Sequence, residues 1–401
     1  MLATWSRGDM AINLLSEAET LFEYSRLIRR DIHMHPELGF KEVRTAAVVA
    51  RDLNELGLKV STGIANTGIT AIIDSGKPGK VCMLRFDMDA LPIQEDTGAE
   101  YASILPGIMH ACGHDAHVAI GLTAAKLLSL HRTDFTGSVK LVFQPAEEGL
   151  GGAETMVKEG VLTNPRPDYA LGIHVWNDQP LGWIGISSGP VMAASEIFRV
   201  IIRGKGGHGA LPSSTIDPIF AAAQIISSLQ SIVSRNVHPQ KTAVVSVTAI
   251  HGGQAFNVIP QEVEIKGTIR TFEPSVRDTV LGNFIKVTEG VANSLGCTVE
   301  IDLQPLTPAL NNNEYVTGII QQTAKKLLPE ADLDMHFATM GSEDMAFYLD
   351  EIPGCFIFIG SANPQRGFTA THHHPKFDID EEVLPMATGL IVSAAIDLLA
   401  R

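Results

Sequence analysis

Four short apolar runs constrain the fold of this chain most: Val81-Cys82-Met83-Leu84, Val139-Lys140-Leu141-Val142-Phe143, Tyr169-Ala170-Leu171-Gly172-Ile173 and Cys355-Phe356-Ile357-Phe358-Ile359. Each is too short for a helix and almost free of polar residues. Such runs suit strands buried on both faces, the environment of a parallel sheet covered by helices. Amphipathic stretches separate them. Residues 16–30 place Leu21, Tyr24, Leu27 and Ile28 on one helical face, and residues 41–56 and 117–130 read as further helices. The fold class expected is α/β, with a helix-covered, mostly parallel sheet.

Between residues 188 and 303 the pattern changes. The order reads strand 197–202, helix 217–233, strand 243–250, strand 263–271, helix 275–292, strand 298–303. That βαββαβ order is the ferredoxin-like unit. Ser188-Gly189-Pro190 supplies a turn-rich junction. The chain of 401 residues suits two ordinary domains. The expectation is a discontinuous domain made of 1–187 and 304–401, with residues 188–303 inserted into it.

A formal net charge of -15 argues against a nucleic-acid or anionic-membrane partner, which would favour a basic face. No stretch approaches the ~18 apolar residues of a membrane span. The first fifteen residues carry Arg7 and Asp9 and no continuous apolar core, so they do not read as a signal peptide. Cys82, Cys112, Cys297 and Cys355 are scattered rather than arranged as a disulfide framework, and a cytoplasmic setting is the default. Cys82 and Cys355 lie in apolar runs and read as buried thiols.

The residues just after the apolar runs carry the chemistry. Asp87 and Asp89 come after the first, Glu147 and Glu148 after the second, and His174 after the third. Ligands of open α/β sheets bind outside the carboxyl ends of the strands, so these residues point to one shared site. The run His110-Ala111-Cys112-Gly113-His114-Asp115-Ala116-His117 adds a thiol, imidazoles and a carboxylate just before a helix, whose N-terminus would favour the thiolate. Thiolate and imidazole suit zinc, manganese, cobalt or nickel. Adjacent carboxylates repel; of Glu147 and Glu148, one could hold a metal while the other serves as general base. Asp87 and Asp89 could be ligands or acceptors that orient histidines. His372-His373-His374 adds three more imidazoles near the C-terminus. Taken singly, each has a bland reading: a buried thiol, a solvated loop tip, a core histidine, a surface histidine cluster. Their recurrence at strand ends favours a metal site.

In the inserted stretch, Gly204-Lys205-Gly206-Gly207-His208-Gly209 lacks the Lys-Ser/Thr of a phosphate-binding loop, so a nucleotide reading is rejected. Its glycines would let His208 approach an active site. Asn257, in a second glycine-rich loop, and Arg270 are polar candidates for an anionic substrate.

These motifs resemble a known family: the metal-dependent amidohydrolases and peptidases that include hippurate hydrolase, N-acyl-amino-acid amidohydrolases, thermostable carboxypeptidases and auxin–amino-acid conjugate hydrolases. The matching segments include Asp31 to Leu38, Arg85 to Pro92, Met109 to His117, Phe143 to Gly149, Gly172 to His174, Gly204 to His208, Asn257 to Pro260, Met340 to Asp344 and His373 to Pro375. The resemblance implies a two-metal catalytic domain and an inserted lid and dimerisation domain. It implies metal ligands at Cys112, His114, Glu148, His174 and His373, with two divalent ions, manganese or zinc, cobalt or nickel being acceptable. It implies Glu147 as general base, Asp89 as an orienting residue, and His208 reaching the partner subunit's active site to help hold the oxyanion. Asn257 and Arg270 would grip the substrate carboxylate. Where the wider superfamily places a histidine, this chain has Asp87, and Cys112 marks the cysteine-containing branch.

The function expected is hydrolysis of small N-acyl amino acids by a homodimer or higher homo-oligomer. A dipeptidase or carboxypeptidase using the same machinery is the alternative. A catalytically dead metal sensor would not need Glu147 beside its ligands, and a structural zinc site would not be this rich in carboxylates.

Overall fold

The computed structural model describes residues 7–401, with side chains from Leu14 onward. The reading of the first fifteen residues falls partly on residues 1–6, which lie outside the described residues. The chain forms two compact units: Met1–Gly189, Asn311–Phe337 and Asp344–Arg401 make the first, and Pro190–Leu310 with Ala338–Glu343 the second.

The first unit is built on eight strands: β1 (Lys59–Ile64), β2 (Gly68–Asp74), β3 (Val81–Asp87), β4 (Ser138–Gln144), β5 (Tyr169–Pro180), β6 (Trp183–Gly185), β7 (Asp332–Asp334) and β8 (Gly354–Ala362). They lie in the order β1-β2-β4-β3-β5-β8-β6-β7. The central strands β4, β3, β5 and β8 pair in parallel, while β1, β2 and β6 supply the antiparallel contacts. All nine residues of β8 are buried, as expected of a strand covered on both faces. Helices His114–Leu130 and Val383–Leu399 are buried almost all round rather than along one stripe. Gly121 lets the former close onto the sheet, since a Cβ there would stand 2.6 Å from the Phe86 ring.

Two local expectations are corrected. The helix expected over 16–30 is two helices, Arg7–Thr20 and Phe22–Met34. Thr20 Oγ1 donates to the Glu17 carbonyl at 2.7 Å and competes with the helix ladder there. The break lets both Leu21 and Phe22 pack against the core. The third strand also runs beyond its apolar run. β5 stays paired with β8 through Trp176, so His174 lies within the strand rather than after it.

The second unit is a four-stranded antiparallel sheet with strand order Ala243–His251, Glu262–Thr271, Ala194–Arg203, Thr298–Thr307. Numbered along the chain this is 2-3-1-4, the ferredoxin-like order. Helices Pro218–Ser231 and Pro274–Ser294 cover one face, with Phe198, Val200, Ile225, Leu229, Ile265 and Phe284 in the shared core. Asp217 caps the first of them, accepting from the Ile219 and Phe220 amides ahead of Pro218. No described helix is long and apolar enough to cross a membrane.

Candidate metal centre

The site grows from the carboxyl end of the parallel strands. Gly113, at φ 89, turns the chain between Cys112 and the helix that starts at His114. A Cβ at this position would stand 2.4 Å from Val175 Cγ2, so glycine serves both the turn and the approach to β5. Across that contact, Cys112 Sγ is 3.6 Å from His174 Nε2. The His174 ring is oriented from its other side, where Nδ1–H donates to the Val175 carbonyl at 2.6 Å. His114 is oriented in the same manner: its Nδ1 is 3.3 Å from Asp89 Oδ1. Asp89 also accepts from the Glu147 amide at 3.0 Å and the Glu148 amide at 3.1 Å. His373 Nε2 lies 3.2 Å from Glu148 Oε1.

Among the groups of possible donors, three are made of the expected ligands and Glu147: Cys112, His114 and His174; Cys112, Glu148 and His373; His114, Glu147 and Glu148; another joins His114 to Asp87 and His117. Within each group the atoms lie within 4.8 Å of one another. These sulfur, imidazole and carboxylate donors fit borderline divalent cations. One buried atom of the cluster, His114 Nε2, makes no hydrogen bond. A buried polar atom without a partner, set among these donors, is what a bound cation would satisfy.

The electrostatics agree. Burial and the neighbouring Glu148 raise the Cys112 thiol. Burial here opposes the charge that the helix N-terminus would favour on the thiol. Hydrogen bonds to Cys112 and Glu148 hold His373 up at about 10. Burial opposes charge on His114, yet Asp87 and Cys112 keep its pKa well above the ordinary value. His174 goes the other way, lowered by burial and by His117 and His372, and stays neutral.

The structure also separates neighbours that the sequence left together. His117 Nδ1 is 2.5 Å from Asp87 Oδ1, and its Nε2 accepts from the Val175 amide at 3.0 Å, so both ring nitrogens are engaged. Asp87 Oδ2 is held by Arg85 at 2.6 Å. Of the three consecutive histidines, His372 Nε2 donates to the Val175 carbonyl and His374 Nδ1 accepts from the Lys376 amide. His373, at φ 64 and tied by its amide to the Ala111 carbonyl, is the one beside Cys112 and Glu148.

His208, Asn257 and Arg270 lie in the second unit. His208 pairs with Val258 in the short ladder of Gly207–His208 with Val258–Ile259, Asn257 directly precedes that ladder, and the Gly209 amide donates to the Asn257 carbonyl at 2.8 Å. His208 Nδ1 accepts from the Ala210 amide. Arg270 is half-buried, and its Nη1 donates to Ser195 Oγ, Thr268 Oγ1 and the Ile269 carbonyl.

Asp344 escaped the reading of the sequence. Its carboxylate accepts from Arg85 Nη2, Gln144 Nε2 and the Ala153 amide, and its own amide donates to Glu147 Oε1 at 3.4 Å. The available signal was its place in the family-like segment Gly341-Ser342-Glu343-Asp344.

Residues 83–397 match the model of peptidase family M20/M25/M40. The chain belongs to this family. It is a hydrolase of amide bonds. It is 37% identical over 382 residues to thermostable carboxypeptidase 1 of Saccharolobus solfataricus, covering 94% of this chain and 96% of the relative. It is 40% identical over 380 residues to the N-acetylcysteine deacetylase of Bacillus subtilis, covering 94% and 97%. Among solved structures, the YXEP protein of Bacillus subtilis, described as a dinuclear metal-binding peptidase of this family, superposes with a TM-score of 0.83 at 36% identity, covering 95% of this chain and 99% of that one.

Proposed function

We propose that this chain hydrolyses the amide bond of small N-acyl amino acids, releasing a carboxylic acid and a free amino acid. The observation that carries the reading is Glu147. It sits beside Glu148 and His114 within the donor cluster, with the Asp344 amide on its carboxylate. A similar protein is named for deacetylation of N-acetylcysteine.

In this reading Cys112, His114, Glu148, His174 and His373 hold two divalent ions, manganese or zinc, with cobalt or nickel acceptable. Bound there, the ions supply Lewis acidity, polarising the amide carbonyl and easing deprotonation of water. Asp89 keeps the His114 ring in the tautomer that leaves Nε2 available, and aligns the Glu147 and Glu148 backbone. Glu147 takes the proton of the attacking water and hands it to the leaving amine. His208 of the second unit, from a partner subunit, helps hold the oxyanion. Asn257 and Arg270 take the substrate carboxylate; in the free chain the Arg270 hydrogen bonds go to hydroxyls and a carbonyl, not to a carboxylate. A homodimer is part of the reading, supported by exposed apolar side chains of the second unit, Phe220, Ile250 and Phe256. A cytoplasmic setting is supported by four free cysteines.

The test is metal-dependent amino-acid release from N-acetyl-methionine, hippurate, an indole-acetyl amino acid and a dipeptide, with Glu147→Gln as control. Release from the acyl amino acids is expected, and Glu147→Gln should keep its metal while losing roughly 10²–10⁴-fold in kcat. Release from the dipeptide alone would move the assignment to peptidase, the second reading, which the similarity to a carboxypeptidase favours. Normal turnover by Glu147→Gln would refute the mechanism.

A further inference from the structure

The loop that carries Glu147 and Glu148 begins in a conformation that alanine avoids. Ala146 has φ 56, in the left-handed region. Three consecutive amides of this loop each end on a buried carboxylate. Ala146 N–H donates to Glu42 Oε1 at 2.9 Å, while Glu147 and Glu148 donate to the two oxygens of Asp89. Glu42 is 0% exposed. Its other hydrogen bonds come from the Phe40 amide at 3.1 Å and Thr67 Oγ1 at 2.5 Å. The backbone around Ala146 is confined on both sides. A Cβ at Gly39 would stand 3.1 Å from Ala146 Cα, and a Cβ at Gly152 would stand 1.7 Å from the Pro145 carbonyl oxygen. Beyond the elbow the two carboxylates stay close but take different partners, Glu148 beside Cys112 and His373 and Glu147 accepting from the Asp344 amide.

A strained residue persists only where its surroundings over-determine it. Here a carboxylate is buried against neutral donors, and one of them is the amide of the strained residue. We infer that Glu42 is a positioning residue for amide hydrolysis: by holding the Ala146 amide it keeps the elbow left-handed and the Glu147 and Glu148 carboxylates each on its own partners. Glu42 touches neither substrate nor metal in this role. The inference rests on Glu147 as general base and Glu148 as metal ligand.

The test compares wild type with Glu42→Ala, Glu42→Gln, Ala146→Gly and the double variant Glu42→Ala/Ala146→Gly. The readouts are kcat and KM on N-acetyl-methionine, and manganese affinity by competition with a chelator. Glu42→Ala should lower kcat roughly 10- to 100-fold with KM within about twofold, since small misplacements of a catalytic group cost that much. Manganese binding should weaken about 10- to 100-fold, as for other residues behind a ligand. Glu42→Gln should keep most activity, because its amide oxygen can still accept from Ala146. Glycine adopts positive φ without the Cβ clash, so Ala146→Gly should recover about fivefold or more of the loss in the Glu42→Ala background. That rescue is what a general loss of packing would not give.

Unchanged kcat and manganese affinity in Glu42→Ala would overturn the inference, and so would a loss that Ala146→Gly does not relieve. If Glu42→Ala does not fold, Thr67→Val loosens the same carboxylate, and the same rescue by Ala146→Gly is expected, its absence being refuting. Wild type that binds manganese but releases no amino acid from any acyl substrate would defeat the functional reading. The chelator competition would still decide the role of Glu42.

Discussion

The protonation of His33 gives a quantitative handle on the support behind the metal site. His33 is fully buried, with Nδ1 2.7 Å from Asp115 Oδ2 and Nε2 3.3 Å from Glu95 Oε1. Serving both carboxylates requires a proton on each nitrogen. Burial opposes that charge, but the Asp115 charge and the hydrogen bonds to Asp115 and Glu95 outweigh it and raise the pKa from 6.5 to about 9. At 1.36 kcal/mol per pH unit, that span is worth ~3 kcal/mol of folding stability. A raised histidine pKa stabilises fully below the unfolded value and loses its contribution as pH rises through the folded one. The contribution is therefore complete below 6.5 and gone above about 9. The perturbation is His33→Gln, and the assay is urea unfolding of both proteins at about pH 6, 7, 8 and 9.5. Every other titrating group is common to the two, so the stability gap isolates His33. It should shrink by ~3 kcal/mol across the series, most steeply between about pH 7 and 9. A gap that stays constant with pH would refute the assignment of a buried imidazolium.

Two further outcomes are expected of the same interior. Arg29 is fully buried and reaches Asp115 at 2.9 Å, Asp378 at 2.6 Å and Glu381 at 3.1 Å, so Arg29→Met removes the cation shared by three carboxylates and should cost ~3–5 kcal/mol in denaturant unfolding. A cost below about 1 kcal/mol would show that the network relaxes without it. Raised pKa values keep protons on Cys112, His114 and His373 at neutral pH. Loading manganese or zinc should therefore release about three protons, read as a dependence of the calorimetric heat on the buffer's ionisation enthalpy, and identical heats in all buffers would contradict this protonation.

The parts of the molecule legible in the sequence were those written as local pattern. The apolar runs become β3, β4, β5 and β8 because a strand buried on both faces needs nothing but apolar side chains. The inserted stretch announced its strands and helices through ordinary periodicity, and the thiol, imidazole and carboxylate cluster was visible because such residues seldom gather by chance. The features that escaped were long-range. Glu42 and Arg29 are single charged residues near helices that look like solvated surface; only the fold brings Ala146 onto Glu42 and Asp115 and Asp378 onto Arg29. Asp87 and Asp89 looked equivalent, yet Arg85 and His117 claim the first while the second serves His114 and two amides. His174 was placed after a strand because a histidine interrupts an apolar run, whereas backbone pairing with β8 continues regardless of side-chain polarity.

The pairing of β5 with β8 has a consequence for biosynthesis. The two strands are neighbours in the sheet, but the whole of 190–310 is translated between them. On the ribosome, the inserted unit has nearly all of its chain available while β5 still lacks its neighbour. During that interval the nascent polypeptide exposes an apolar strand edge, a template for intermolecular pairing. The order of assembly is thus imposed by gene order: the insert matures first and the parent sheet closes last. Ribosomal stalling or a nonsense codon before Gly354–Ala362 would leave a sticky remnant suited to chaperone capture or degradation, not a partially working enzyme.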